Sequence, residues 1–540
     1  MPNLQFKGKS FVQNHHLAVP YHQLVPSKGK SLTDKLSLHD SLIINGDNLL
    51  ALKALLPTYA AKIKCIYIDP PYNTGNENWV YNDNVKSPII KDWIGEVVGK
   101  EGDDLTRHDK WLCMMMPRIK LLKELLSDDG VFFVSIGDDE LGNIIGLLNE
   151  IFGQEYLVAI YAWKSRSKPT NAGDAKFRPQ KVFEYVVAFS KTLPDNLNFN
   201  ISSISERKYP HKDKDGDYRI TSILTSNRGS YRRDTMRFEI NGYSPSELKR
   251  WKAGSEEIQG LFDTNRVDFK EGEPFRKHYK GDEEEQLYPL YTLVDPDISG
   301  TAENGKSEVN QILGSTHGFD TIKPVGLVKH LINMVLDKDG KNIILDSFAG
   351  TGTTAQAVLE LNKEDGGSRK FILVEMEGYA NSITAERVRR VIKGISKAKN
   401  KLTREGLGGT FSYFELGEPI ETSSLLNGSK MPSYTELARY VFYTSTGEDF
   451  SDSRIDEKNN YVGKSSQYEV YLYYKPDVEY LKATALTLDE ARRLRAKSGI
   501  KPLLVFAPTK YVEQTELDNL KITFCQLPFE MYKVKNNGAS

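Results

Sequence analysis

Two apolar runs constrain this chain more than any other feature. "IKCIYID" (63–69) and "NIILD" (342–346) each read as a buried strand, and each stops at an aspartate followed by a turn. Around both runs, strands alternate with helices. "SLIINGDNLLALKALLP" (41–57) is a strand, a turn and a short helix. "DKWLCMMMPRIKLLKELLSDDG" (109–130) has apolar residues at helical spacing and is expected to stay helical to Gly130. "VFFVSIG" is a buried strand and "DELGNIIGLLNEIFG" a further helix. The pattern resumes with a helix in "TIKPVGLVKHLINMVLDKDG" (321–340), the strand "NIILDSFAG", a helix in "TGTTAQAVLELNK" and a strand in "KFILVEME" (370–377). Such alternation predicts an α/β fold with a doubly wound, mostly parallel sheet, here assembled from two separated segments.

Between the segments lies a stretch of another character. Residues 161–238 hold 16 Lys plus Arg against 8 Asp plus Glu, a local balance of 16 − 8 = +8, in a chain whose formal net charge is −1. This stretch is rich in Asn, Ser, Tyr and Arg and poor in helical periodicity, so it reads as an inserted irregular domain. The tail shows "YEVYLYY", a helix near "TLDEARRLRAKSG", "KPLLVFAP" and "LKITFCQLP", the pattern of a small α/β domain. The expected divisions are an N-terminal arm (1–38), a first core segment (39–191), the insert (192–315), a second core segment (316–415) and a C-terminal domain (416–540). Cys65, Cys113 and Cys525 are far apart and lack CxxC spacing, which argues against a disulfide framework or a cysteine zinc site and fits a reducing, cytoplasmic setting. The first residues are too polar for a signal peptide, and no apolar run is long enough to span a bilayer.

Glycines mark one candidate ligand site. In "LDSFAGTGTTA" (345–355) a strand ends at Asp346, and Gly350 and Gly352 open a helix. Glycines there let backbone approach a ligand, and the helix N-terminus favours a polar or anionic group. Gly350 to Ala355 satisfies G-x-G-x-x-A, and Glu375 ends the next strand, where an acid can hold a ribose. Either a nicotinamide dinucleotide or S-adenosylmethionine would suit this pattern. A second match is a decoy. "GTAENGKS" (300–307) fits the P-loop pattern in full, but "LVDPDIS" before it is no buried strand and the helix after it stops by Gly314. A helix-capping loop is the expected reading.

The other candidate site is the corner Asp69-Pro70-Pro71-Tyr72. An exocyclic amine on a nucleobase is a poor nucleophile, because its lone pair is delocalised into the ring. The Asp69 carboxylate and a Pro70 carbonyl fixed by two prolines could hold its two N–H bonds and aim the lone pair at an electrophilic methyl. Tyr72 offers a stacking face for a base taken out of the helix. If the strands ending at Asp69 and Asp346 are neighbours, this corner faces the cofactor.

"DPPY" (69–72) together with "FAGTG" (348–352) resembles the amino-methylating DNA methyltransferases, adenine-N6 type. The order of catalytic motif, basic insert and cofactor motif resembles the beta class, a permuted Rossmann-like methyltransferase fold in which the insert is the target recognition domain. "GDNLLALK", "DPPYNTGNENWVYND" and "ARYVFYTSTGE" look more narrowly like the modification (Mod) subunit of a type III restriction-modification system. The resemblance implies Asp69, Pro70, Pro71 and Tyr72 as catalytic-motif residues. It implies Asp346, Phe348, Gly350, Gly352, Thr353 and Glu375 as S-adenosylmethionine contacts, with Lys323 and Pro324 near the methionine part and Asp47 in its vicinity. It makes Lys164, Arg166, Lys168 and Arg178 in "AWKSRSKPTNAGDAKFRPQK" phosphate contacts, to which the basic middle adds Arg228, Arg232 and Arg233. Aspartate at 69 favours adenine, since the cytosine-N4 relatives usually carry serine. No metal is required. A homodimer on duplex DNA, partnered by a separate restriction subunit with helicase and nuclease, is also implied. The rival readings are a solitary methyltransferase without a nuclease partner and a catalytically idle DNA-recognition subunit.

Overall fold

The structure is a computed structural model that describes residues 4–74, 106–168, 179–200, 208–282, 290–315, 317–337, 339–420, 425, 428, 431–448, 450 and 452–527. The chain divides into two compact units, residues 1–200 with 291–540, and Ile201–Leu290. The second unit is narrower than the insert expected at 192–315. Leu293–Val294 pairs in the large sheet of the first unit, and the helix Ala302–Leu313 packs there against Glu386–Lys393.

The first unit is built on a ten-stranded sheet. In chain order its strands are β1 (His22–Pro26), β2 (Leu42–Asn45), β3 (Ile63–Ile68), β4 (Leu126–Ile136), β5 (Leu157–Lys164), β6 (Phe183–Ser190), β7 (Leu293–Val294), β8 (Ile343–Asp346), β9 (Lys370–Glu375) and β10 (Ser412–Pro419). Their spatial order is β1-β10-β2-β9-β8-β3-β4-β6-β5-β7. From β10 to β4 all neighbours are parallel; β1 and β6 run antiparallel to theirs. The doubly wound α/β sheet is therefore present, built from both segments. The main helices of this unit are α1 (Asn48–Tyr59), α2 (Arg107–Leu125), α3 (Asp138–Phe152), α4 (Ala302–Leu313), α5 (Val325–Asn333), α6 (Thr353–Asp365) and α7 (Glu386–Lys393).

Near-continuous apolar runs such as "CIYI" (65–68) and "FILV" (371–374) suit strands covered on both faces. Ile66, Ile68, Phe132, Val134, Leu345 and Ile372 are all fully buried, in one core with Trp111 and Leu122 of α2 and Leu147 of α3. Two boundaries differ from expectation. α2 ends at Leu125, and "LSDDG" already belongs to β4, whose Leu126 pairs with Ile63. The N-terminal arm is not outside the fold, because β1 pairs with β10 at the sheet's edge. Proline at 26 and a register shift between His22 and Leu24 are devices that keep an edge strand from recruiting others.

β3 and β8 lie side by side, with Leu345 opposite Ile66. From β3 the chain proceeds to β4 on one side, and from β8 to β9 on the other. Their carboxyl ends therefore flank a topological switch point, where open α/β sheets form their ligand crevice. "GTAENGKS" is a helix start, as expected: Thr301 caps α4 in a reciprocal capping box with Asn304. An added Cβ at Gly305 would sit 2.2 Å from the Ile322 carbonyl, so that glycine serves close packing.

The C-terminal residues carry a sheet of their own, ordered Tyr461–Lys464, Glu469–Leu472, Leu503–Ala507, Ile522–Gln526, with a core that includes Val470, Leu504 and Phe506. The second unit holds a four-stranded antiparallel sheet and a two-stranded ribbon, with Trp251, Ile223, Leu224, Ile240 and Ile258 packed together. Among the described residues, no helix is long and apolar enough to cross a membrane.

Candidate active site

One cavity of about 240 Å³ opens at the switch point. Asp69, Pro70 and Tyr72 line it from the end of β3; Asp346, Phe348, Gly350 and Thr353 line it from the end of β8. Lys323 enters from the loop before α5, and Arg166 and Glu184 from the β5–β6 side. The two motifs that lie nearly 280 residues apart in sequence thus share one wall.

The corner after β3 is held from behind. The Trp111 indole N–H donates to the Pro71 carbonyl at 2.7 Å. Asn73 turns the chain with φ of 57°, in the left-handed region that asparagine tolerates. Its amide donates to the Arg107 carbonyl at 3.2 Å and to Glu140 Oε1 at 2.5 Å. Glu140 is fully buried and also meets His108 Nδ1 at 2.6 Å and the Asn143 amide at 2.6 Å. The Tyr72 ring lies against Gly137 at the end of β4, where an added Cβ would come 3.1 Å from Cδ2.

Four polar groups meet at the front. Lys323 Nζ lies 3.0 Å from each Asp69 oxygen, with hydrogen-bond geometry to Oδ2. It lies 3.3 Å from Glu184 Oε2 and 4.7 Å from the centre of the Tyr72 ring. The Tyr72 hydroxyl donates to Glu184 Oε2 at 2.9 Å. Asp69 Oδ1 is buried and has no hydrogen bond of good geometry among the described residues. Burial raises the Asp69 pKa and the Lys323 ammonium offsets part of that rise; the Lys323 pKa is raised by the Asp69 and Glu184 carboxylates against the cost of its own burial.

The glycine turn is a second rigid piece. Gly350 and Gly352 take φ of 51° and 85°, and Gly352 begins α6. The Gly350 N–H donates to Glu375 Oε2 at 2.7 Å, and the Thr384 hydroxyl to the Gly350 carbonyl at 2.6 Å. Asp346 accepts from the Thr354 hydroxyl at 2.6 Å and the Phe348 N–H at 3.0 Å. Fully buried Arg387 donates to the hydroxyls of Thr351 and Thr353 at 2.7 and 2.9 Å. Burial pushes both the Asp346 and the Glu375 carboxyls up to about 7. Ser347 Oγ is buried and has no hydrogen-bond partner among the described residues. Positive-φ glycines, an orphaned hydroxyl and buried acids at two strand ends fit a nucleoside-type cofactor with a sulfonium arm.

Not every expected residue reaches the cavity. Asp47 caps α1, accepting from the Leu49 N–H at 2.8 Å, and pairs with buried Arg118 at 3.1 Å. Glu375 grips the glycine turn, and Pro71, Pro324 and Gly352 back the lining residues without joining them. Lys323 sits at the Asp69 carboxylate. Lys164 is half-buried on β5 and Lys168 is exposed. In the second unit Arg228, Arg232 and Arg233 are exposed, Arg232 pairing with Asp234 at 3.0 Å. Arg178 lies outside the described residues. Sequence reasoning missed Glu140, Trp111, Arg387 and Glu184. Glu184 alone gave a local signal, a carboxylate inside the apolar strand "VFEYVVAFS".

The profile of the N6_N4_Mtase family, described as DNA methylase, matches residues 63–386, more than half of the chain. The chain belongs to this DNA methylase family. The methylase is a relative of type III modification subunits. It is 30% identical over 453 residues to the StyLTI Mod subunit of Salmonella typhimurium, covering 77% of this chain and 66% of that one. It is 28% identical over 460 residues to the EcoPI Mod subunit of Escherichia phage P1, covering 75% and 70%. The type II methyltransferase M.KpnI of Klebsiella pneumoniae is 30% identical over 374 residues, covering 64% of this chain and 82% of that protein. The methylase thus spans about two thirds of the length of the Mod subunits it matches. S-adenosylmethionine is the methyl donor of this family, and the cavity at the switch point is where the methylase's cofactor motif and DPPY motif meet.

Proposed function

We propose that this methylase transfers a methyl group to the N6 amine of adenine in duplex DNA after base flipping. We further propose that it is the site-specific modification and recognition subunit of a type III restriction-modification system. The observation that carries the reading is a cavity lined by both motifs, in which Asp69 offers a buried carboxylate oxygen that has no hydrogen bond of good geometry among the described residues. That oxygen has the Lys323 ammonium 3.0 Å away, yet a carboxylate oxygen has lone pairs for more than one donor and can take a further one from a bound ligand. An amine N–H is such a donor.

The chain's own residues then divide the work. Tyr72 stacks on the flipped base. Asp69 and the Pro70 carbonyl accept the two amine N–H bonds, so the nitrogen lone pair faces the cofactor end of the cavity. Asp346, Phe348, Gly350 and Thr353 hold the cofactor there, and Glu375 fixes the glycine turn. S-adenosylmethionine supplies an electrophilic methyl when bound. With the donor bound, the amine nitrogen would take the methyl as its bond to the sulfonium sulfur breaks, leaving a neutral thioether, and would give up one proton on the Asp69 side. The aspartate at 69 supports adenine over cytosine.

Similarity to Mod subunits supports a homodimer and a separate helicase-nuclease partner. Similarity to the type II methyltransferase M.KpnI favours the second reading, a methyltransferase acting without such a partner.

The test is transfer of labelled methyl from S-adenosylmethionine to DNA, followed by digestion to nucleosides. N6-methyladenine is expected. N4-methylcytosine would overturn the choice of base, and absence of label would overturn the activity. Asp69→Ala should abolish transfer while cofactor affinity stays near that of the unaltered protein.

A further inference from the structure

Lys323 is expected near the methionine part of the cofactor, and its ammonium lies at the Asp69 carboxylate. It touches both oxygens of Asp69 at 3.0 Å and lies over the Tyr72 ring, the two groups assigned above to the target base. The side chain is 6% exposed and is fixed from a third direction by Glu184, at 3.3 Å. Glu184 in turn takes the Tyr72 hydroxyl at 2.9 Å. One carboxylate therefore fixes both the stacking ring and the ammonium.

We infer that Lys323, positioned by Glu184, faces the target base and donates a hydrogen bond to the ring nitrogen next to its exocyclic amine. The inference rests on the function proposed above. An ammonium has three N–H donors and no acceptor. Among the described residues Asp69 and Glu184 take two, which leaves one for a ligand. A base stacked on Tyr72 with its amine on Asp69 carries an unprotonated ring nitrogen one bond from the amine-bearing carbon, N1 in adenine or N3 in cytosine. That acceptor falls beside the carboxylate that Lys323 already touches. Guanine and thymine carry an N–H on the same edge, so the ammonium would meet a donor and leave a buried charge unpaired. Asp69 asks for an amine and Lys323 for an adjacent acceptor, and the pair reads two neighbouring atoms of one base edge. Glu184 is a positioning residue, which keeps the ammonium charged and aimed when Asp69 turns to the amine.

The experiment compares two substrates. The methylated position is first located by sequencing modified DNA. Duplexes are then made with the target adenine intact or replaced by 1-deazaadenine, which keeps the amine and lacks the acceptor; 3-deazacytosine serves if the modified base is cytosine. The unaltered methylase should lose roughly 10- to 100-fold in kcat/KM on the deaza duplex, the range for one hydrogen bond to a charged donor. Lys323→Met should lose a similar factor on adenine and show little further loss on the deaza base, with S-adenosylmethionine affinity retained in calorimetry. Glu184→Gln keeps an acceptor for Tyr72 but drops the charge, and should show part of the same collapse in discrimination. It also provides the readout should Lys323→Met not fold. Discrimination undiminished in the folded variants, or a loss of cofactor affinity in Lys323→Met, overturns the inference alone. Absence of methyl transfer by the unaltered protein overturns the proposed function and this inference with it.

Discussion

At the scale of single residues, the site depends on buried carboxylates that do different jobs. Glu140 never reaches the cavity, yet it accepts from Asn73 and Asn143 and meets His108. Glu140→Ala would take an acceptor from buried Asn73, at about 1–3 kcal/mol, while His108 and Asn143 are open enough for water to replace it. Denaturant unfolding should show that loss, and methyl transfer should fall with it because Asn73 anchors the catalytic corner; an unchanged midpoint would sever the link. Asp346 and Glu375 make a prediction about pH. Both carboxyls are raised to about 7 from ordinary values near 4, so the folded state holds protons that the unfolded state releases. The stability they contribute is full below pH 4 and is lost as pH rises through about 7. Melting temperature of the cofactor-free protein should therefore decline from pH 5 to 8, and Asp346→Asn should remove roughly half of that slope. These residues also show what could be read in advance. Asp69, Asp346 and the glycines were legible because a strand end and a turn announce them locally. Glu140 and Arg387 were not, because their meaning lies in partners that only the folded chain supplies.

At the scale of elements, the sheet was legible and its limits were not. Apolar runs and helical spacing located β3, β4, β8, α3 and α6. Nothing local separates "LSDDG" as a helix end from the same residues as the start of β4, and pairing of Leu126 with Ile63 decided it. β1 escaped notice because a half-exposed edge strand of five residues has no apolar run to show. The turn between β8 and α6 gives the sharpest test at this scale. Gly352 sits at φ of 85°, and an added Cβ would come 3.3 Å from the Thr384 carbonyl. Gly352→Ala should cost about 1–2 kcal/mol for the left-handed conformation. It should weaken cofactor binding more than DNA binding, and calorimetry with each ligand separately would reveal the reverse.

At the scale of the whole molecule, catalysis and sequence reading are expected to separate. Both halves of the cavity belong to the first unit, while residues 201–290 form a unit with a core of their own. Exchanging residues 201–290 for the matching unit of a related methylase should preserve the modified base and change the sequence around it. An active chimera that still modifies the original site would place sequence reading elsewhere. DNA affinity should also fall steeply with salt. Arg232→Gln with Arg233→Gln should lower the slope by about one unit for each phosphate that these arginines neutralise.

The pairing of β3 with β8 has a consequence for how the protein is made. Leu345 is synthesised 279 residues after its partner Ile66. At about 5–20 residues per second on the ribosome, that interval lasts roughly 14–56 s. Throughout it, β3 can pair with β4 on one side while its other edge stands open, with apolar side chains and unbonded peptide groups side by side. The centre of the finished sheet is therefore the most exposed edge of the nascent chain. A fragment released before residue 343 should aggregate, and yield of the full chain should depend on chaperones that shield that edge until the second half arrives.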